Sequence, residues 1–277
     1  MTIEEIIDKA LIEDIGIGDH TSLSTIPKSA TGKAHLLVKE DGILSGMEVA
    51  EQIFRKTDKH LAFFPLLNDG DKIHVGDIAF TVEGSSASIL MAERLVLNFM
   101  QRMSGIATST ALYVKEMEGL KSKVLDTRKT TPLLRELEKM AVRHGGGHNH
   151  RFGLYDMIMI KDNHVDFAGG ISKAIDAAND YLKINQLNLQ IEIEVRSFDE
   201  LQQVLDKGGV NRIMLDNFKP EDLKKAVEII NGRFETEASG GITLETIRAY
   251  AQTNVDFISV GALTHHIKSL DLSLKAF

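Results

Sequence analysis

From residue 123 onward, short β-branched or apolar runs alternate with stretches of helical periodicity, and this rhythm constrains the fold most. The runs are KVLDT (123–127), MIMIK (157–161), IEIEV (191–195), RIMLD (212–216), FETEAS (234–239) and DFISV (256–260). Helical patterns fill 171–183, 198–207, 220–231 and 243–252. Strands alternating with such helices form βαβ units on a parallel sheet. The last four runs recur about every 22 residues, a regularity that favours a β/α barrel over an open doubly wound sheet. The rhythm contains neither a Walker loop nor a GxGxxG fingerprint.

The first hundred residues follow another pattern. Ile3, Ile6, Ile7, Ala10 and Leu11 share one helical face, and Thr2 and Glu5 have the spacing of a capping box. EDIGIGDHT (13–21) reads as a glycine-rich turn. Short strands and DG/GD turns between 33 and 83 suggest hairpins, with a helix over 47–56. The segment 88–118 reads as helix with a break near Gly105. These pieces make a small α+β unit ahead of the barrel.

Composition removes whole classes of chemistry. The 277 residues include no cysteine, so there is no disulfide, thiolate nucleophile or cysteine-ligated metal. That suits a reducing cytoplasm. The longest uncharged apolar stretch, Leu61–Leu67, contains Pro65 and is far short of a membrane helix. A net charge of −8 argues against nucleic acid. Yet between Lys121 and Lys161 nine Lys/Arg face only four acids, a local +5. A focused positive cleft in an acidic protein concentrates a small anion.

Active sites of β/α barrels lie at the C-terminal strand ends. Here those ends carry Arg128 and Lys129, then Lys161, then Glu192 and Glu194, then Asp216 and Asn217. The last two carry Ser239, Gly240 and Gly241, and Ser259, Val260 and Gly261. Arg128, Lys129, Arg151 and Lys161 suit carboxylates or phosphates, Arg as a fork and Lys as a point charge. Glu194 and Asp216 are hard oxygen groups for Mg²⁺ or ribose hydroxyls. The SGG and SVG turns expose backbone N–H groups to a phosphate. Together they describe a site for a phosphorylated sugar and a second anion. In GGGHNHR (145–151), three histidines lack an acid at metal spacing, so a flexible loop presenting His150 and Arg151 to an anion is preferred over a metal centre.

The ordered motifs EDIGIGDHT (13–21), AERLVLNFMQRMSGIAT (92–108), DTRKTTP (126–132), GGGHNHRFGLYDMIMIKDNH (145–164), IEIEV (191–195), MLDNF (214–218), EASGGI (237–242) and ISVGALTH (258–265) resemble the quinolinate phosphoribosyltransferase family. The resemblance spans nearly the whole chain, and TRKTTP, GGGHNHR and IKDNH are its most specific parts. It implies an N-terminal α+β open-faced sandwich over 1–105, with the tail 266–277 packed on it, and an incomplete β/α barrel over 106–265. It implies phosphoribosyl transfer to quinolinate with decarboxylation. It also implies a cytoplasmic homodimer in which Arg94 reaches the partner's site. By resemblance, Arg94, Arg128, His150, Arg151 and Lys161 would line the pyridine dicarboxylate, and Thr127 would be a further substrate-binding residue. Lys129 and Lys161 would meet phosphoribosyl pyrophosphate. Glu194 and Asp216 would hold the ribose hydroxyls and Mg²⁺, and Ser239, Gly240, Gly241, Ser259, Val260 and Gly261 would cradle the 5-phosphate. Lys129, Lys161, Glu194 and Asp216 would be the catalytic set. A paralogue taking nicotinate or a molybdenum-associated base would share the phosphate side, and a non-catalytic anion- or nucleotide-binding protein remains a reading from another class.

Overall fold

In the computed structural model, which describes all 277 residues, Thr2 caps the first helix. Its hydroxyl accepts the Glu5 N–H, and the Glu5 carboxylate accepts the Thr2 N–H at 2.8 Å. Two orphan donors are thereby satisfied, and α1 (Ile3–Ile15) buries Ile6 and Ile7. The chain continues through α2 (His20–Thr25), β1 (Thr31–Val38), β2 (Gly42–Ile43), α3 (Met47–Thr57), β3 (Ala62–Pro65), β4 (Lys72–Ile73), β5 (Ile78–Ser85) and the long α4 (Ser86–Glu116). Next come β6 (Lys123–Leu125), α5 (Arg135–His144), β7 (Ile158–Ile160), α6 (Asp162–Ala168), α7 (Ile171–Asn185), β8 (Ile191–Val195) and α8 (Phe198–Lys207). Then come β9 (Arg212–Asp216), α9 (Pro220–Ile230), β10 (Glu235–Ser239), α10 (Ile247–Ala251), β11 (Phe257–Ser259), α11 (Ala262–His265) and β12 (Leu272–Ala276).

Two units divide these elements. The first comprises residues 1–111, 130–146 and 263–277. Its antiparallel sheet has the order β12-β1-β5-β3. Ala34, Leu36 and Val38 of β1 and Phe80 and Val82 of β5 are buried, while the other residues of these strands, Ala79 excepted, are not. One covered face is what period-two patterning dictates. Phe54 of α3 meets Phe63 and Phe80 with ring centroids 6.0 and 5.8 Å apart. A buried Phe contributes about 2–3 kcal/mol relative to an exposed one.

The second unit, 112–129 and 147–262, holds the six-stranded parallel sheet β6-β11-β10-β9-β8-β7. On its free side β6 takes one further parallel bridge, Leu125 with His148. Seven stretches thus follow one another around a ring that is open between His148 and β7. This is an incomplete β/α barrel. All five residues of β8 are buried, as expected for a strand covered on both faces.

Three details differ from the sequence pattern. Helix α4 runs through Gly105 without a break, because that glycine serves a close approach to the backbone at Lys268. Helix α10 is shorter than 243–252, since the Thr246 hydroxyl accepts the Thr243 N–H at 2.9 Å and forms a local turn there. Residues 130–146, with α5, belong to the first unit, where the 105/106 boundary assigned them to the barrel. Arg102 and Glu138 explain this, because they form an ion pair inside that unit.

Candidate active site

Asp126 follows β6 directly and is fully buried. Its Oδ1 accepts the His150 N–H at 2.8 Å, and its Oδ2 accepts from the Asn149 amide. The Asp126 N–H donates to the His148 carbonyl, and the His148 N–H to that of Val124. The GGGHNHR stretch is therefore stitched to the barrel wall and is not a free-standing loop. Arg128, Lys129, His150 and Arg151 come from these two adjacent stretches.

His150 faces inward. Its Nδ1 accepts the Arg151 N–H at 2.6 Å, which requires that nitrogen to be unprotonated. Its Nε2 lies 3.0 Å from Glu192 and 3.3 Å from Glu237, both fully buried. These are ion-pair distances, but neither contact is aligned as a hydrogen bond. Arg212 Nη1 donates to Glu237 at 3.0 Å. Burial opposes charge on His150, yet the two carboxylates outweigh it and raise its pKa to about 9. Burial, together with the charge of Glu237, raises Glu192 to about 7. Both shifts express one fact: at neutral pH this buried set keeps one proton more than its separate groups would. With the Arg151 N–H on Nδ1, Nε2 is the ring nitrogen that carries hydrogen.

His150, Glu192 and Glu237 place three ligand atoms within 4.8 Å of one another, carboxylates that the local sequence around the histidines did not reveal. Arg212 and the extra proton already neutralise the two carboxylates, so this set is balanced without a metal.

Around the ring, Lys161 ends β7 and donates from Nζ to Glu194 at 3.0 Å. Asp216 ends β9. Its oxygens accept from Ser239 Oγ at 2.6 Å and from the Asn217 side-chain amide. Gly240 has φ +98°, and a Cβ there would overlap the Asn217 side chain. Only glycine lets that turn pass so close.

These strand ends enclose a cavity of about 260 Å³. Its lining includes Thr127, Arg128, Lys129, His150, Arg151 and Lys161, from the β6, His150 and β7 stretches, and Asp216, Ser239, Ser259 and Gly261, from the neighbouring ends of β9, β10 and β11. Glu194, Gly240, Gly241 and Val260 are not part of the lining. Arg94 belongs to the first unit, exposed on α4, in a small cavity with Asp14 and Asp19. The sequence reading missed Met159, Met214 and Glu237, which also line the site. Glu237 was findable, because it lies two residues before Ser239 on the same strand face. Burial lowers the proton affinity of Arg151, and the nearby Arg128 charge lowers it further. Two guanidiniums that repel each other beside a cavity make a site for an anion.

The model of the quinolinate phosphoribosyl transferase N-terminal domain matches residues 19–104, and that of the C-terminal domain matches residues 106–275. The chain belongs to the quinolinate phosphoribosyltransferase family. A family member from Nicotiana tabacum, named quinolinate phosphoribosyltransferase [decarboxylating] 2b, mitochondrial, is 49% identical over 99% of this chain and 82% of its own length. A Bacillus subtilis protein named probable nicotinate-nucleotide pyrophosphorylase [carboxylating] is 40% identical over 99% of this chain and 93% of its own. The crystal structure of NadC from Streptococcus pyogenes superposes with a TM-score of 0.94 at 40% identity, covering 99% of this chain and 95% of that one. The strand-end cations of this quinolinate phosphoribosyltransferase family member thus sit on a fold shared along nearly its full length.

Proposed function

We propose that the protein transfers the phosphoribosyl group of phosphoribosyl pyrophosphate to quinolinate with loss of CO₂, yielding nicotinate mononucleotide for NAD synthesis. The observation that carries this reading is the lining of one cavity. It joins Arg128, Lys129, Arg151 and Lys161, from the β6, His150 and β7 stretches at the two ends of the sheet order, with Asp216, Ser239, Ser259 and Gly261, from the neighbouring strands β9, β10 and β11. The first suits two carboxylates, and the second a ribose phosphate.

The ring nitrogen of quinolinate would attack ribose C1 as pyrophosphate departs. Lysines 129 and 161 would neutralise charge growing on the leaving group, and fixed placement of both substrates would supply much of the acceleration. Bonding to ribose makes the ring nitrogen cationic. That cation would stabilise the electron pair left when the adjacent carboxylate leaves as CO₂, and a proton then quenches the ring carbon. No thiol is needed, consistent with a chain that has none.

Glu194 and Asp216 are the proposed Mg²⁺ contacts. Glu194 is already paired with Lys161, and Asp216 with Ser239 and Asn217. Such committed carboxylates fit an ion shared with substrate phosphates better than an all-protein cage. Bound there, Mg²⁺ would supply further neutralisation of the pyrophosphate. The same reading includes a cytoplasmic homodimer in which exposed Arg94 completes the partner's site.

One assay tests the activity. Phosphoribosyl pyrophosphate and Mg²⁺ are supplied with quinolinate or with nicotinate, and CO₂ release is followed. Release from quinolinate is expected. Turnover of nicotinate alone would replace this reading with that of a non-decarboxylating relative, and silence with both would leave an anion-binding protein.

A further inference from the structure

A buried ionic group that the proposed chemistry does not use reaches the cavity wall only at Glu237. Glu192 on β8 pairs in register with Arg212 on β9, which pairs with Glu235 on β10. Arg212 is fixed on every side. It donates to Glu237 at 3.0 Å and to Glu235 at 3.0 and 3.1 Å, and its guanidinium lies 4.1 Å from the Phe257 ring centroid. Burying such charges costs desolvation free energy, and well-packed apolar side chains would stabilise a barrel interior as well or better. Stability therefore does not account for them.

Their geometry does. Both His150 nitrogens are committed inside the protein: Nε2 to Glu192 and Glu237, Nδ1 to the Arg151 N–H. A flipped ring would set carbon atoms against two buried carboxylates. The ring orientation is thus dictated by these carboxylates, and the ring in turn holds the backbone of Arg151. The Arg151 side chain is tied at its far end, where Nη1 donates to the Met157 carbonyl at 3.1 Å. We propose that Glu192, Glu237 and Arg212 are positioning residues that lock His150 and, through it, aim Arg151 at the carboxylates of the substrate. They touch no reacting atom. This inference rests on the reading that the cavity takes a pyridine dicarboxylate. It adds three residues that set the affinity for that substrate; Glu237 also accepts a hydrogen bond from Ser259 on the phosphate side, whereas Glu192 has no such contact.

The test compares Glu192→Gln, an isosteric change, with the wild type. KM for quinolinate and KM for phosphoribosyl pyrophosphate are measured separately, with the melting temperature as a check on folding. Misaiming a substrate-gripping side chain should raise the quinolinate KM at least about tenfold and leave the other KM nearly unchanged. In a His150→Gln background, Glu192→Gln should add little, because the carboxylate acts through the imidazole. An equal rise in both KM values, full additivity with His150→Gln, or a wild-type quinolinate KM would each overturn the proposal. If Glu192→Gln does not fold, Arg212→Lys, which keeps the charge but loses the fork, carries the same expectation and decides. Independently of turnover, side-chain ¹⁵N spectra should show one fixed His150 tautomer with hydrogen on Nε2 in the wild type, and averaged nitrogens there would also refute the lock. Absence of CO₂ release by the wild type would instead count against the functional reading, and the spectra would still judge the lock.

Discussion

Gly105, at the middle of α4, lies against the carbonyl group of Lys268, and a Cβ at that position would overlap its oxygen. Two rules predict opposite signs here. Helix propensity alone makes Gly105→Ala stabilising by about 1 kcal/mol. Steric overlap with backbone makes it destabilising, on the order of 2 kcal/mol or more. We expect destabilisation, seen as a lower urea midpoint. A raised midpoint would show that the tail moves away freely.

The same glycine shows where sequence reading stops. Periodicity placed β8 and α8 at their observed bounds and put the charged strand ends on one ring, because both depend on local pattern. The role of Gly105 depends on a residue 163 positions further along, which no window of the sequence contains. The His150 cluster is similar. Its carboxylates come from β8 and β10, and only parallel pairing through β9 brings them together. The helix α5 was invisible for another reason. Its segment draws the eye by charge, with five Arg, Lys or Glu among its ten residues. Asp126 likewise looks like part of a charged loop, yet it staples β6 to the His150 segment.

Gly240→Ala tests the turn after β10. The left-handed backbone at φ +98° is strained for alanine, and the new methyl meets Asn217, which also holds Asp216. Strain of this kind costs about 1–3 kcal/mol. The expected result is a modest loss of stability and a larger rise in KM for phosphoribosyl pyrophosphate than for quinolinate. Equal changes in both would remove Gly240 from the phosphate side.

The buried proton predicts a pH dependence. His150 and Glu192 both have raised pKa values in the folded chain, about 9 and about 7. A raised folded pKa contributes stability that is complete below the unfolded value and is lost as pH rises through the folded one. That proton belongs to the set of His150, Glu192 and Glu237 as a whole, and its window runs from the ordinary histidine value of 6.5 to about 9. The groups facing His150 are Glu192, Glu237, Arg212, Arg151 and Asp126. Unfolding free energy should therefore fall between pH 7 and pH 9.5, on the order of 1–3 kcal/mol, since a tenfold change in proton affinity is worth about 1.4 kcal/mol. Denaturant titrations of wild type and His150→Gln check this, with a flatter profile expected in the variant. Identical slopes would place the proton elsewhere.

Lys161 and Arg94 together test the shared site. Lys161 lines the cavity and pairs with Glu194, while Arg94 is exposed on another unit and has no place in that cavity's lining. Lys161→Ala alone should remove nearly all turnover with the fold intact, because the loss falls on a charge-assisted contact worth about 1.5–3 kcal/mol or more. Arg94→Ala alone should do the same if each site borrows that arginine from the partner. In a two-fold dimer, mixing the two variants then places both lesions in one site and leaves the other whole. Random reassortment should restore activity at about a quarter of the sites. Unfolding and refolding the mixed chains, then following CO₂ release, measures this. If the mixture stays as inactive as its parents, Arg94 serves its own chain or none, and the partner-completed site is wrong.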